Sequence, residues 1–510
     1  MQPSVTVTGN PGVGKTATMR YVALKMKEKG YTVVPTNTPE DIITFSEKGK
    51  KLLFVVDDVC GNYMVDPYRI SKWQEKSESI QSLLGNEYCI KIISTCRLQI
   101  FSDVRFRDLP FFKNCECNLN SSELCLTFGE RSNLALKYFG GKAGEVNPFL
   151  KEHDFFPLLC ALCQKNNPVD IKSFFTKPFD FCKKEIDYLS ASDSEKDKCK
   201  VCALVLCAIF NNRFKEEYLT TEDNEIQLVI ESTLLKCKLN KYTSFGMLHE
   251  ALHTLEGTFV MKEDKVYRAM HDKLYDFLAY YFGGKMPEFI IKHAQSDFIS
   301  SRFLWETKDN KATDIAYTIF ITDKQILEIY IERILRDWSK GEVSAVFTNR
   351  NTKSTSFNAH LIDHLCRHDH RYQEELARMT DNRSQDSTLL QSCFVGDPNL
   401  TGWILNHTVD DSGNSYRQPR EIDVVNTCRN SGESPLTIAC SFGHTEIVKM
   451  LLKYKADVNK CGDSLATPLY IACQNGHLDI VLQLLDNKVN TDVNKWNVEV
   501  ITRQTQTTQV

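Results

Sequence analysis

The chain reads as a multidomain α/β plus α protein: a parallel-sheet domain, then helical segments with one hairpin, then a solenoid of helical repeats. Three observations predict this. Over residues 1–120, strand-like and helix-like stretches alternate, the pattern of a mostly parallel sheet covered by helices. Beyond residue 120 the helical period dominates, interrupted by one short hairpin. Near the end, a segment recurs after 33 residues. With 510 residues, 42% hydrophobic and 25% charged, the chain has the make-up of several ordinary globular domains, which excludes a mainly disordered or collagen-like protein.

The elements follow in order. Ser4 to Thr8 alternates apolar and polar residues, as a strand does. Ala17 to Lys29 is rich in helix formers and closed by Gly30. Tyr31 to Val34 is a second strand. Leu52 to Val56 is an unbroken apolar run ending in Asp57-Asp58, as in a strand buried on both faces. A helix is expected over Ile70 to Leu84 and another buried strand over Cys89 to Thr95. Helices are then expected over Ser121 to Tyr138, His153 to Lys165, Lys198 to Phe210 and Thr243 to Leu255. Gly257 to Val260 and Lys265 to Arg268 flank Met261 to Asp264 and predict a short β-hairpin, followed by a helix over Asp272 to Tyr281. Helix, hairpin, helix is a winged-helix-like order.

In the C-terminal part, Ser434-Pro435-Leu436-Thr437-Ile438-Ala439-Cys440 recurs as Thr467-Pro468-Leu469-Tyr470-Ile471-Ala472-Cys473. Each copy continues alike, through Gly443-His444 and Gly476-His477 to Leu451-Leu452 and Leu484-Leu485. A 33-residue period of this kind is the ankyrin period. A weaker copy runs from Thr388 to Leu405, separated from the next by an insertion near 408–422. Thr502 to Val510 is polar and of low complexity, a frayed tail.

Bulk charge narrows the function classes. The 62 basic and 66 acidic residues leave a net charge of -4, which gives no electrostatic basis for coating nucleic acid or an anionic membrane. The longest strongly apolar runs, such as Val201 to Phe210, are about half the length of a membrane span. Met-Gln-Pro-Ser is not the start of a signal peptide. The 19 cysteines are scattered, so reduced thiols in a cytoplasmic protein are expected.

Four motifs carry chemistry. Gly9-Asn10-Pro11-Gly12-Val13-Gly14-Lys15-Thr16 fits G-x-x-x-x-G-K-[ST], the P-loop, with a strand before it and a helix after it. Glycines let backbone N–H groups curl around phosphate oxygens, and the following helix aims its positive end at them. Lys15 adds a point charge and the Thr16 hydroxyl suits Mg²⁺. Asp57-Asp58 ends a buried strand about forty residues downstream, where Asp57 is placed to hold Mg²⁺ and Asp58 to polarise an attacking water. Arg97 ends the strand Ile92-Ile93-Ser94-Thr95-Cys96, where a guanidinium pairs well with γ-phosphate oxygens. Met270-His271-Asp272 follows the hairpin; by chemistry alone, His271 is either a phosphate donor or a helix N-cap.

Two further clusters read as structural. Cys160-x-x-Cys163 and Cys199-x-x-Cys202 lie in apolar helical stretches, where cysteine acts as a small hydrophobe rather than a zinc ligand. His360, His364 and His368, with Cys366 and His370 nearby, read as a solvated histidine-rich helix face.

The order of these motifs, with the proline of Phe155-Phe156-Pro157-Leu158, resembles the STAND NTPases over roughly residues 4–283. These include the NB-ARC and NACHT proteins of innate immunity and cell death. Followed by ankyrin repeats, the chain is similar to the STAND–ankyrin proteins expanded in invertebrates. The resemblance implies a switch that holds ADP in a closed form, exchanges it for ATP when a sensor meets its ligand, and then oligomerises. Carried over by motif, Lys15 and Thr16 bind phosphate and Mg²⁺, and Asp57 and Asp58 serve Mg²⁺ and water activation. Arg97 senses the γ-phosphate, Pro157 packs near the adenine, and His271 contacts the ADP β-phosphate. Protein partners are expected on the ankyrin repeats.

The implied domains are a P-loop nucleotide-binding domain (1–120), a helical lid (121–190) and a winged-helix-like domain (191–283). A helical connector (284–383), about three ankyrin repeats (384–495) and a tail (496–510) follow. Two features depart from the family pattern. Its members carry a purine-holding segment and an effector domain before the first strand, whereas this sequence opens at the strand, as a fragment or a protein with its effector elsewhere would. In both good repeats the histidine of the usual Thr-Pro-Leu-His turn is replaced, by Thr437 and Tyr470. The rival expectations are an ankyrin scaffold with a structural, non-hydrolysing nucleotide site and, third, a mechanical AAA-type ATPase.

Overall fold

The computed structural model describes residues 3–61, 66–84, 89–102, 106, 109–151, 155–166, 170–305, 317–408, 423–430, 432–460 and 466–487. The chain divides into two compact units, Met1–Phe320 and Ile321–Val510.

The first unit opens with β1 (Ser4–Gly9), α1 (Lys15–Glu28), β2 (Thr32–Thr36), α2 (Pro39–Phe45) and β3 (Leu52–Val56). It continues with α3 (Pro67–Glu75), α4 (Ser77–Leu83), β4 (Ile90–Arg97), α5 (Leu98–Phe101), α6 (Pro110–Lys113) and β5 (Glu116–Asn118). The strands pair in parallel in the order β2-β3-β4-β1-β5. Helices must therefore cover both faces, because each parallel connection crosses over the sheet. Alternation along the strands divides the core. Leu53 and Ile93 face one side with Val7, Met19, Ala23 and Met26, where α1 packs. Phe54 and Ile92 face the other with Ile70, Trp73, Ile80, Phe111 and Phe112. Each fully buried large side chain contributes roughly 2–3 kcal/mol. At the open edge, Pro35 of β2 lies opposite Val55.

Helices dominate the rest of this unit. The helix expected from Ser121 starts later, as α7 (Phe128–Phe139), because Thr127 and Glu130 form a reciprocal capping box at its entry. Then come α8 (Phe156–Asn166), α9 (Ile171–Thr176), α10 (Asp180–Ala191) and α11 (Glu195–Ile209). Cys160, Cys163, Cys199 and Cys202 are all buried in apolar packing. Among the described residues no group of three or more His, Cys, Asp or Glu is arranged to hold a metal ion.

Next are β6 (Phe214–Lys215), α12 (Asn224–Lys236), α13 (Phe245–Leu255), β7 (Val260–Glu263), β8 (Val266–Ala269) and α14 (Asp272–Lys285). The hairpin has a two-residue turn rather than the four-residue one expected. Asp264 and Lys265 take φ of 46° and 62°, the left-handed pair that a tight hairpin turn needs, so its strands start or end later than the sequence pattern suggests. After α14 come α15 (Pro287–His293), α16 (Ser296–Arg302), β9 (Phe303–Trp305) and β10 (Ile319–Ile321). The stretch 284–383, expected as one connector, is shared between the two units.

The second unit begins with α17 (Lys324–Ser339), α18 (Val343–Phe347), α19 (Thr355–Leu365) and α20 (His370–Ala377). On α19, His364 is buried against Glu328 of α17, not part of a solvated face. Three helix pairs follow: α21 and α22 (Thr388–Val395, Pro398–Thr408), α23 and α24 (Pro435–Phe442, Thr445–Lys453), and α25 and α26 (Pro468–Gln474, Leu478–Asp486). Ser387, Ser434 and Thr467 cap the first helix of each pair through a side-chain oxygen. The imidazole of His444 lies over Gly396, and that of His477 over Gly443; both glycines have positive φ, so a side chain there would be strained and would strike the ring. The stacking also extends one pair further back, with α18 against α21 and α19 against α22. The insertion at 409–422 and the tail at 496–510 lie outside the described residues. No helix among the described residues is long and apolar enough to cross a membrane.

Candidate nucleotide site

The parallel register brings three distant segments together. Gly9 at the end of β1 lies beside Arg97 at the end of β4, and Val56 of β3 lies beside Ser94. The loop Gly9–Thr16, the Asp57-Asp58 pair and Arg97 therefore meet at the carboxyl edge of adjacent strands, with β1 between β4 and β5. Open parallel sheets bind ligands at such an edge.

The loop is shaped by its glycines. Gly9, Gly12 and Gly14 take φ of 152°, 89° and 103°. A Cβ on Gly12 would lie 2.6 Å from the Phe155 Cβ and 3.5 Å from His271 Cε1, so only glycine fits. Pro11 and Val13 complete the curl, with Val13 N–H donating to the Asn10 carbonyl. Asn10 N–H donates to Asn120 Oδ1 at 2.7 Å, which anchors the loop to a residue two positions past the end of β5. Gly14 caps α1 without any side-chain hydrogen bond. The first N–H groups of that helix are therefore not satisfied by a cap and can serve an anion.

Lys15 is buried and its ammonium donates to the Asn10 carbonyl at 3.1 Å. Burial lowers its pKa, and Arg97 adds to this, while Asp58 and Asp272 oppose it. The Thr16 hydroxyl lies 3.2 and 3.3 Å from the two Asp57 carboxylate oxygens. The Thr95 hydroxyl donates to Asp57 and accepts the Asp58 N–H at 2.8 Å, so one side chain orients both acids. Asp58 stands at φ 48°, a left-handed position that aspartate tolerates. Burial raises its pKa to about 6; Asp272 and Asp57 also raise it, and Arg97 and Lys15 pull it back.

The side facing the loop from α8 and α14 is equally defined. Arg97 is buried, and its Nη2 pairs with Asp272 Oδ2 at 2.7 Å. His271 caps α14, with Nδ1 accepting the Lys273 N–H at 3.1 Å. Burial, with Lys15 and Arg97, lowers its pKa against Asp272 and Asp276; because Nδ1 accepts, Nε2 is the nitrogen that carries a proton to donate. Pro157 is half-buried in the first turn of α8, between Phe155 and Leu158, which both approach Gly12.

The structure thus gathers Gly9 to Thr16, Asp57, Asp58, Arg97 and His271 around one loop, with Pro157 on the helix that closes over it. Asn120, Thr95 and Asp272 also belong there, although the sequence motifs gave them no role. A hydroxyl beside Arg97 was a usable signal for Thr95, whereas nothing local marks Asn120. The donor set suits the groups that the motifs imply. Thr16 and Asp57 supply hard oxygens for Mg²⁺, and the loop supplies N–H groups and an ammonium for phosphates.

Residues 2–138 match the family model of Novel STAND NTPase 3, and residues 389–495 match ankyrin repeats in three copies. No curated protein matches the chain. The chain therefore carries a STAND NTPase domain in its N-terminal part and ankyrin repeats in its C-terminal part.

Proposed function

We propose that the protein is an adenine-nucleotide-dependent signalling switch. It holds ADP in a closed arrangement and exchanges it for ATP when a protein partner engages the ankyrin repeats. The observation that carries this reading is the Arg97–Asp272 ion pair at 2.7 Å. The arginine that β4 places at the phosphate edge is taken up by a carboxylate from the start of α14. Arg97 becomes available to a γ-phosphate only when α14 withdraws. His271, one residue before Asp272, leaves the loop in the same movement.

Within this reading Lys15 and the α1 N-terminus bind the phosphates. Thr16 and Asp57 hold Mg²⁺, which neutralises phosphate charge when bound. Asp58, ionised at neutral pH, orients water and accepts its proton. His271 Nε2–H donates to the β-phosphate, and Pro157 packs near the base. The choice of adenine, slow hydrolysis as a timer, nucleotide-driven oligomerisation, a cytoplasmic setting and a role in innate-immune or stress signalling all rest on the family resemblance. The residues 121–283 act as the helical and winged-helix-like lid, and 284–383 as the connector to the repeats.

The test is to purify the protein gently, extract its nucleotide and identify it. ADP recovered from the wild type and lost in Lys15→Ala supports the switch. An empty site in both proteins leaves an ankyrin scaffold with a structural loop. Fast steady-state ATP turnover by stable hexamers replaces the switch with a motor.

A further inference from the structure

The nucleotide loop has a neighbour whose hydrogen-bonding capacity is only half used. Past β5 the chain stays beside β1, with the Leu119 N–H donating to the Thr8 carbonyl at 2.9 Å. Asn118 closes the turn that follows. Its Oδ1 accepts the Asn120 N–H at 2.9 Å, and its carbonyl accepts the Ser121 N–H at 3.0 Å. Asn120 is thereby fixed against the start of the loop. Its Oδ1 accepts the Asn10 N–H at 2.7 Å and lies 3.0 Å from where a Cβ on Gly9 would stand.

That hydrogen bond also orients the amide. A backbone N–H can only donate, so the atom it meets is the oxygen, and Nδ2 with its two donors occupies the other branch. Among the described residues Nδ2 donates to no protein group. Anchoring the loop uses the oxygen alone.

Strand order tells which part of a ligand this donor meets. The sheet runs β2-β3-β4-β1-β5, so β4 and β5 flank β1 on opposite sides. Arg97 ends β4, and Asp57-Asp58 follow β3; they mark the flank of the terminal phosphate and Mg²⁺. The turn Asn118 to Ser121 lies on the other flank. A nucleotide with its terminal phosphate near Arg97 and its next phosphate in the loop continues toward that turn with its ribose and base.

We infer that Asn120 reads the nucleoside: its oxygen holds the loop, while its Nδ2–H donates to an acceptor on the ribose or the base. The inference rests on the nucleotide-binding reading above and adds a specificity contact to it. Because β5 belongs to the same sheet as the loop, the contact persists when α8 and α14 move away. The nucleoside is then held in both arrangements of the switch, and only the phosphates sense the difference.

The experiment titrates ADP and inorganic pyrophosphate, each with Mg²⁺, into the full chain by calorimetry. Both probes fill the loop, and only ADP carries a nucleoside. Asn120→Asp keeps an oxygen for the Asn10 N–H and removes the donor. Its added charge opposes both probes, so the ratio of their affinities is the readout. That ratio should fall by about tenfold, the loss of one hydrogen bond with its acceptor left unpaired. Asn120→Ala adds no charge; it should weaken both probes through the lost anchor and lower the ratio by a similar factor. Retained pyrophosphate binding shows that the variant loop is folded. With 2′-deoxy-ADP, the same fall in ratio places the acceptor away from the 2′-hydroxyl, and no fall places it there. ADP binding with an unchanged ratio in both variants leaves Asn120 as a loop anchor only and overturns the inference. A wild type that binds neither probe removes the nucleotide reading itself, so the two failures are told apart.

Discussion

Asp58 owes its chemistry to its surroundings. Burial outweighs two nearby cations and sets its carboxyl at about 6, well above the usual aspartate value. Between pH 4 and 6 the folded chain binds more protons at this group than the unfolded chain, so its contribution to stability falls as pH rises through that window. Its proposed role as a base has the opposite sense. ATP hydrolysis should rise with pH through about 6 and then level off. Asp58→Asn should flatten that limb in a single-turnover pH profile and lower the rate at least roughly a hundredfold. Asp272→Ala should release Arg97 and move the ATP-to-ADP affinity ratio toward ATP by about tenfold, as expected for one charge-assisted hydrogen bond. Competition binding measures this, and an unchanged ratio would remove the ion pair from the switch. The meeting of Lys15, Thr16, Asp57, Asp58 and Arg97 at one edge was legible because each belongs to a short contiguous motif. The partner of Arg97 was not, since Asp272 reaches it only through the packing of a later helix.

At the scale of elements, sheet order and loop chemistry decide where the site lies. The strands were legible from their apolar runs, since a strand buried on both faces has little freedom in composition. Boundaries were harder. Thr127-x-x-Glu130 is a readable capping box, yet the general helical character of Ser121 to Tyr138 masked it. The hairpin slipped because a tight turn at Asp264 and Lys265 is set by backbone angles that neither residue type announces. Asn120 illustrates an element acting on its neighbour, since it anchors the loop after β1 from the end of β5. Asn120→Ala should weaken binding of a fluorescent ADP analogue by roughly fivefold to tenfold. Its melting temperature should change little, because the lost bond is a single contact at the sheet edge. In the repeats, Ser434→Ala should cost about 1 kcal/mol by removing a helix cap, read from urea unfolding of the second unit.

For the whole molecule, division into two compact units means that one unfolding temperature cannot describe the chain. Calorimetry should resolve two transitions. ADP with Mg²⁺ should raise the one belonging to residues 1–320 and leave the other in place, since a ligand stabilises only the unit that binds it. A rise in both would show that the units unfold together. The repeat at 33 residues was legible because a solenoid writes its period into the sequence. The helix pair before it, α18 and α19, was not, since its stacking on α21 and α22 has no matching sequence pattern.

The edge strand β2 has a consequence of another kind. Thr32 N–H donates to the Lys51 carbonyl on the β3 side, so alternation turns the nitrogens of residues 33 and 35 toward the open edge. Residue 35 is proline, which has no hydrogen to offer there. An incoming strand from another molecule therefore finds a broken row of donors and cannot extend the sheet. If these proteins crowd together on activation, that ring directs crowding away from fibril growth, and replacing it with valine should make the assembly amyloid-prone before it makes the monomer unstable.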